Sequence, residues 1–177
     1  MEPALIEWWG RVLWGTYGAS EVGFMTMASS ADALERPGTA GRMQMGGTVL
    51  ILDSEGKELP RGAVGEIYAR MDVFGDFDYS NDPEGRKNAE RHGHLSVGDL
   101  GWVDEDGYLF ITDRKKDMII SGGFNIWPAE LENVLAGHAD VLEVAVFGVP
   151  HERWGETPHA LCVVSEGSAV TAEELIE

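Results

Sequence analysis

Three short stretches hold residue types that together suit a phosphorylated, polyhydroxylated ligand. In residues 97–101 an aspartate, Asp99, stands in a Gly-flanked turn. One β-hairpin later, Arg114, Lys115, Lys116 and Asp117 lead into the pair Gly122-Gly123. A carboxylate accepts hydrogen bonds from ribose hydroxyls, and a guanidinium offers a planar fork that bridges hydroxyls and phosphate. Glycines permit positive φ and close approach of a ligand or chain. Charged residues at a change of composition suit a hinge, because hinges are a few element-terminal positions that absorb a large φ/ψ change. The third stretch, Tyr17-Gly18-Ala19-Ser20-Glu21, offers an aromatic face, a hydroxyl for a phosphate oxygen and a carboxylate for a metal. Mg2+ on phosphates keeps waters and takes one or two protein carboxylates. The structural alternatives use the same residues: Asp99 as a turn cap, Arg114 in a solvated ion pair, Lys115-Lys116-Asp117 as a linker, Gly122-Gly123 as a tight turn, and Tyr17 to Glu21 as an ordinary loop. Residue type and spacing alone leave both sets open.

These stretches must be positioned by two kinds of structure. The first segment, residues 1–46, is rich in Gly, Trp and Met without a strong period; Leu13 to Gly18 reads as a buried strand running into a loop. Residues 48–112 read as β-hairpins. Val49-Leu50-Ile51-Leu52 closes on the turn Asp53-Ser54-Glu55-Gly56, a strand surrounds Gly65-Glu66, and Asp104-Glu105-Asp106-Gly107 joins two further strands. Residues 82–91 have helical composition, with Asp82 as cap and Pro83 in the first turn. After Lys116 the pattern changes to a strand at 118–120, then a helix from Pro128 whose Leu131, Val134 and Leu135 share a face. Strands at 141–149 and 161–164 follow, and Thr171-Ala172-Glu173-Glu174 forms a capping box that opens a helix reaching Glu177.

Composition narrows the classes. The 177 residues are 44% hydrophobic and 25% charged, which are globular values, and the length predicts one to two domains. Asp and Glu outnumber Lys and Arg by 31 to 13, giving a net charge of −18. That excludes an extended nucleic-acid surface, which needs clustered Lys and Arg, yet accommodates a nucleotide, for which one or two placed cations suffice. Cys162, the single cysteine, permits no intrachain disulfide and reads as a buried small hydrophobe in Ala160-Leu161-Cys162-Val163-Val164. No apolar stretch reaches membrane-spanning length, and the start lacks a signal-peptide pattern, so a cytoplasmic protein is expected. The five histidines form no set at metal-ligand spacing, and no Gly-x-Ser-x-Gly nucleophile elbow is present.

Taken in order, Tyr17-Gly18-Ala19-Ser20-Glu21, Gly65-Glu66-Ile67, Gly98-Asp99-Leu100-Gly101 with Asp106-Gly107-Tyr108, Asp113-Arg114-Lys115-Lys116-Asp117 and Pro128-Ala129-Glu130-Leu131-Glu132 resemble the C-terminal half of the adenylate-forming (AMP-binding) superfamily, which includes acyl-CoA synthetases, peptide-synthetase adenylation domains and luciferases. The resemblance runs from about Trp14 to Val164. It implies an α+β fold: residues 1–115 as the end of a large N-terminal domain with a distorted β-barrel subdomain, and 116–177 as an incomplete, mobile C-terminal domain. It implies an acid–CoA ligase, of the kind used in fatty acid metabolism, that makes an acyl-AMP from a carboxylic acid and ATP with Mg2+ and passes the acyl group to coenzyme A. An adenylation domain loading a carrier protein, and a non-catalytic nucleotide-binding module, are the alternatives. By the same resemblance Tyr17 and Gly18 border adenine, Ser20 contacts phosphate and Glu21 binds Mg2+, these last two being the catalytic pair. Asp99 and Arg114 hold the ribose, Lys116 is the hinge, and Gly122 with Gly123 lines the thiol channel. Family members more often have Thr where Ser20 stands, and Ser keeps the hydroxyl. The family's phosphate loop and C-terminal lysine lie outside this sequence, so a fragment with weak or no adenylation on its own is expected. Unpaired strand edges leave a homodimer open.

Overall fold

The computed structural model describes residues 2–75, 79–80 and 82–176; Glu177, which the expected last helix is to reach, lies outside the described residues. In chain order the elements are α1 (Glu2–Trp9), β1 (Trp14–Ala19), β2 (Gly23–Ser29), α2 (Ser30–Glu35), β3 (Thr39–Met43), β4 (Gly47–Leu52), β5 (Gly65–Met71), α3 (Pro83–Ala89), β6 (Glu90–Arg91), β7 (His94–Val103), β8 (Tyr108–Arg114), a 3-10 turn (Lys115–Asp117), β9 (Ile119–Ser121), β10 (Phe124–Ile126), α4 (Pro128–Leu135), β11 (Val141–His151), β12 (Gly155–Val164) and α5 (Ala172–Ile176). They divide into two compact units, Met1–Thr112 and Asp113–Glu177. The mixture is α+β, dominated by antiparallel sheet.

In the first unit one sheet runs β1-β2-β3-β8-β7-β5-β4, with β6 beside β7. The path ends at β1 and β4, and no closed barrel is found among the described residues. Its turns follow from the sequence: Asp53 takes the backbone N–H groups of Glu55 and Lys57 at 2.9 Å, and Asp104 takes that of Tyr108 at 2.8 Å. Such Asx turns give the chain its reversal without costing strand hydrogen bonds. Val22, Met25, Ala69 and Met71 form one core cluster and Ile51, Ile67, Val103 and Leu109 another. Tyr17 packs against both. Burying each large apolar side chain contributes roughly 1.5–3 kcal/mol. Strand β1 is not buried as the sequence suggests. Its residues alternate between exposed and half-buried because it is the last strand of the path, covered on one face only.

Helix α2 went unread in the sequence, although Ser29 and Asp32 form a capping box. Asp32 also accepts the Tyr108 hydroxyl at 2.5 Å, and the guanidiniums of Arg36 and Arg42 stand 4.2 and 4.3 Å from the Tyr108 ring centre. The Ser29 hydroxyl, then the Tyr108 hydroxyl and the Ser29 amide, hold the Asp32 carboxyl down to about 2 from an ordinary 3.8. A lowered carboxyl stabilises the fold fully above its unfolded value and loses that contribution as pH falls through the folded one. For Asp32 the window is therefore pH 4 down to 2. Asp32→Asn should cost about 1 kcal/mol near pH 6, with solvent screening included. That difference should shrink toward zero by pH 2 in urea titrations of both proteins. A constant difference across the window would contradict this assignment.

In the second unit the sheet order is β10-β9-β12-β11, and α4 packs on β11, where the Glu132 carboxylate takes the Val146 amide at 2.9 Å. Leu131 and Leu135 are half-buried, but Val134 is 75% exposed. The expected three-residue apolar face is thus a pair, with Glu132 serving as the anchor to β11. Strand β12 begins at Gly155, six residues before the expected start, and Pro158 fits because β9 pairs with β12 only at Gly155. Cys162 is half-buried rather than buried, and Leu161 beside it is 67% exposed. The structural reason is that β11 alone pairs with this end of β12. The capping box of α5 is formed: the Thr171 amide donates to Glu174 Oε2 at 2.9 Å and the Glu174 amide to Thr171 Oγ1 at 3.4 Å.

Candidate functional site

Tyr17-Gly18-Ala19-Ser20-Glu21 lies at the tip of the β1–β2 hairpin. Strand β1 carries Tyr17, Gly18 and Ala19, the register shifts between Tyr17 and Gly18, and Ala19 pairs with Gly23 around a turn that presents Ser20 and Glu21. Gly18 is required by close approach: a Cβ there would stand 2.1 Å from the Gly23 carbonyl oxygen. Ser20 is exposed and Glu21 half-buried.

Asp99 stands within strand β7 and not in a turn. Against β5, Glu66 pairs with Leu100 and Tyr68 with Ser96, so β7 carries extra residues opposite Ile67. This is a bulge. Gly98 supplies its φ of +81°, which a side-chain-bearing residue adopts only at a cost. Ser96 fixes the bulge from below, its Oγ donating to Glu66 Oε1 at 2.6 Å and accepting the Gly98 amide at 3.0 Å. A serine two residues before a glycine is the sequence sign of such a turn, and it was missed. The bulge aims Asp99 at β1. There its Oδ2 accepts the Tyr17 hydroxyl at 2.6 Å, with Asp99 only 8% exposed. A bulge thus brings together two residues 82 positions apart.

Glu21 lines a cleft of about 740 Å³ with Val22, Met71, Phe74, Arg86 and Glu90. Its Oε1 accepts the hydroxyl of Tyr79 at 3.0 Å. Helix α3, capped by Asp82 onto the Gly85 amide at 2.9 Å, presents Arg86, which pairs with Glu90. No group of three or more His, Cys, Asp or Glu able to hold a metal is found among the described residues. Of the three carboxylates lining the cleft, Asp72 pairs with Arg70 and Glu90 with Arg86, and Glu21 is the one held by a neutral hydroxyl. It suits a hard ion that arrives with phosphate oxygens and water, and it does not suit an all-protein cage.

The remaining residues lie in the second unit. Arg114 is the last residue of β8 and is exposed. Lys116 sits in the exposed 3-10 turn. Gly122 and Gly123 form the two-residue loop of the β9–β10 hairpin, with φ of +59° and +87°, the values that favour glycine pairs in hairpins. The Gly122 amide donates to the Trp154 carbonyl at 2.8 Å, and a Cβ on Gly122 would meet the Trp154 ring at 2.9 Å.

The family model described as AMP-binding enzyme matches residues 1–73, and the one described as AMP-binding enzyme C-terminal domain matches residues 130–177. The chain belongs to the adenylate-forming, AMP-binding enzyme family. It is 41% identical over 152 residues to the long-chain-fatty-acid–CoA ligase FadD13 of Mycobacterium tuberculosis, covering 86% of this chain and 30% of that protein. It is 42% identical over 168 residues to the fatty acid–[acyl-carrier-protein] ligase ScoC of Streptomyces coeruleorubidus, covering 90% and 31%. Its fold matches ATP-bound MatB from Rhodopseudomonas palustris with a TM-score of 0.85 at 36% identity, over 94% of this chain and 33% of MatB. The chain therefore spans about a third of the length of these relatives. No described helix is long and apolar enough to cross a membrane.

Proposed function

We propose that this chain provides the nucleotide grip, the hinge and part of the thiol-side small domain of an ATP-dependent carboxylic acid–CoA ligase. The observation that carries the reading is the Tyr17–Asp99 pair, a half-buried aromatic ring fastened at 2.6 Å to a buried carboxylate, within the unit whose cleft wall holds Glu21. In the first half-reaction a substrate carboxylate oxygen attacks the α-phosphorus of ATP, and pyrophosphate leaves. In the second a thiol attacks the acyl carbon, and AMP leaves. Tyr17 and Gly18 border the adenine, Asp99 and Arg114 hold the ribose hydroxyls, and Ser20 donates to a phosphate oxygen. Glu21 would hold Mg2+, which when bound offsets charge on the phosphates. Held carboxylate and hydroxyl groups need no reorganisation as charge shifts, which is where such sites gain their rate. Residues 1–115 and 116–177 are the two working parts, Lys116 their hinge, and Gly122-Gly123 the wall of the thiol channel. The setting is taken as cytoplasmic.

The likeness to ScoC favours a second reading, in which the acceptor is the pantetheine thiol of a carrier protein. One measurement separates these. The intact protein, given ATP, Mg2+ and a panel of carboxylic acids, is expected to exchange pyrophosphate in an acid-dependent way and to form thioester with free coenzyme A at a rate matching AMP release. Thioester on a carrier protein only would establish the second reading. Absence of acid-dependent exchange across the panel would sink both and leave a non-catalytic nucleotide-binding module.

A further inference from the structure

We propose that Tyr79 is a positioning residue for the nucleotide-bound metal, holding the Glu21 carboxylate in the orientation that meets the ion. The inference rests on the reading of Glu21 as the Mg2+ ligand and deepens it.

Glu21 projects from a hairpin tip, where a glutamate with three rotatable side-chain bonds has many orientations open to it. Ordering such a side chain costs rotamer freedom. The Tyr79 hydroxyl, donating at 3.0 Å to Glu21 Oε1 from 58 residues away, removes much of that freedom before any ligand arrives. It occupies one carboxylate oxygen and leaves Oε2 for an ion. Tyr79 is itself placed: it pairs with Asp82 in an isolated bridge, the Asp82 amide donating to the Tyr79 carbonyl at 3.2 Å. Asp82 in turn caps α3, and α3 brings Arg86 to the wall of the cleft that Glu21 lines. The segment that carries the donor on Glu21 thus leads directly into the helix whose Arg86 lines the same cleft. A ligand oriented in advance binds its ion more tightly, as outer partners of metal ligands generally do.

The test uses the intact protein, Mn2+ with ATP in the absence of any carboxylic acid, and proton relaxation of water as the readout of Mn2+ held on the protein. Tyr79→Phe removes the hydroxyl and keeps the ring. It is expected to weaken Mn2+–ATP about 10-fold, the low end of what loss of an outer partner costs, and to raise the Mg2+ concentration needed for half-maximal pyrophosphate exchange by a similar factor while kcat at saturating Mg2+ stays within about threefold. In a Glu21→Gln background the same change should have no further effect, because its partner has lost the charge. Mn2+–ATP affinity within twofold of the parent in Tyr79→Phe would overturn the proposal, as would an equal loss in both backgrounds, which marks a structural role. Glu21→Gln binding Mn2+–ATP as the parent does would instead overturn the reading of Glu21 on which the proposal rests. A shared fall in melting temperature does not move the coupling between the two changes, so a folding defect is told apart from a metal effect.

Discussion

Replacing Asp99 by alanine in the intact protein is expected to raise KM for ATP about 100-fold in pyrophosphate exchange. The estimate is two hydrogen bonds to a charged acceptor at roughly 1.5 kcal/mol each, and 1.4 kcal/mol is a factor of ten. Asp99→Asn keeps one acceptor and should lose about tenfold. Both changes also take the acceptor from the Tyr17 hydroxyl, now bound at 2.6 Å, so a loss could arise from a misplaced ring alone. Tyr17→Phe separates the two causes. It breaks the same hydrogen bond from the other side but leaves the carboxylate for the ribose, and it should cost less than tenfold. If Asp99→Ala and Tyr17→Phe weaken ATP equally, Asp99 serves only to hold the ring. If Asp99→Ala leaves KM unchanged, the ribose assignment fails and the structural alternative, a carboxylate that fixes a core tyrosine, stands.

How far these arrangements could be read in advance depended on sequence separation. Turns whose whole cause lies within four residues were legible: Asp53 to Gly56, Asp104 to Gly107, the Asp82 cap and the Thr171–Glu174 box each form as their residue types dictate. Asp99 shows the next level. Its glycine flanks were visible, but a turn and a bulge both call for positive φ, and only the pairing of β7 with β5 decides between them. Val134 fell on the wrong face because eight residues of helix leave its rotation open, and the Glu132 bond to Val146 on β11 is what fixes it. The Glu21–Tyr79 contact carried no local signal at all. Neither residue's neighbours mention the other, and the meeting follows from how the β1–β2 hairpin and the segment ahead of α3 come to share a cleft. Family likeness in motif order supplied the residue types of the site, but not their partners.

The two glycines of the β9–β10 loop offer a test in which backbone strain and steric obstruction come apart. Both have positive φ, so alanine at either should cost about 1 kcal/mol through conformation alone. Only Gly122 faces an obstacle, the Trp154 ring 2.9 Å from where a Cβ would stand, whereas nothing lies within 4 Å of a Cβ on Gly123. Gly122→Ala should therefore destabilise the second unit by about 2–3 kcal/mol in urea unfolding, since overpacking adds to the strain, against about 1 kcal/mol for Gly123→Ala. On the proposed function the same displacement disturbs the wall along which the thiol approaches. A misplacement of about 1 Å costs on the order of 100-fold in a bimolecular step that depends on alignment. Single-turnover transfer of the acyl group from preformed acyl-adenylate to coenzyme A is expected to fall by that factor in Gly122→Ala and less than tenfold in Gly123→Ala. Pyrophosphate exchange should stay within threefold in both, because on the proposed function the first half-reaction draws on Tyr17, Ser20, Glu21 and Asp99. In a Trp154→Ala background the added Cβ has room, so Gly122→Ala should there cost only the conformational part, about 1 kcal/mol. Equal losses of exchange and transfer in Gly122→Ala would mean a general folding defect, and normal transfer despite the lost stability would remove Gly122 from the thiol path.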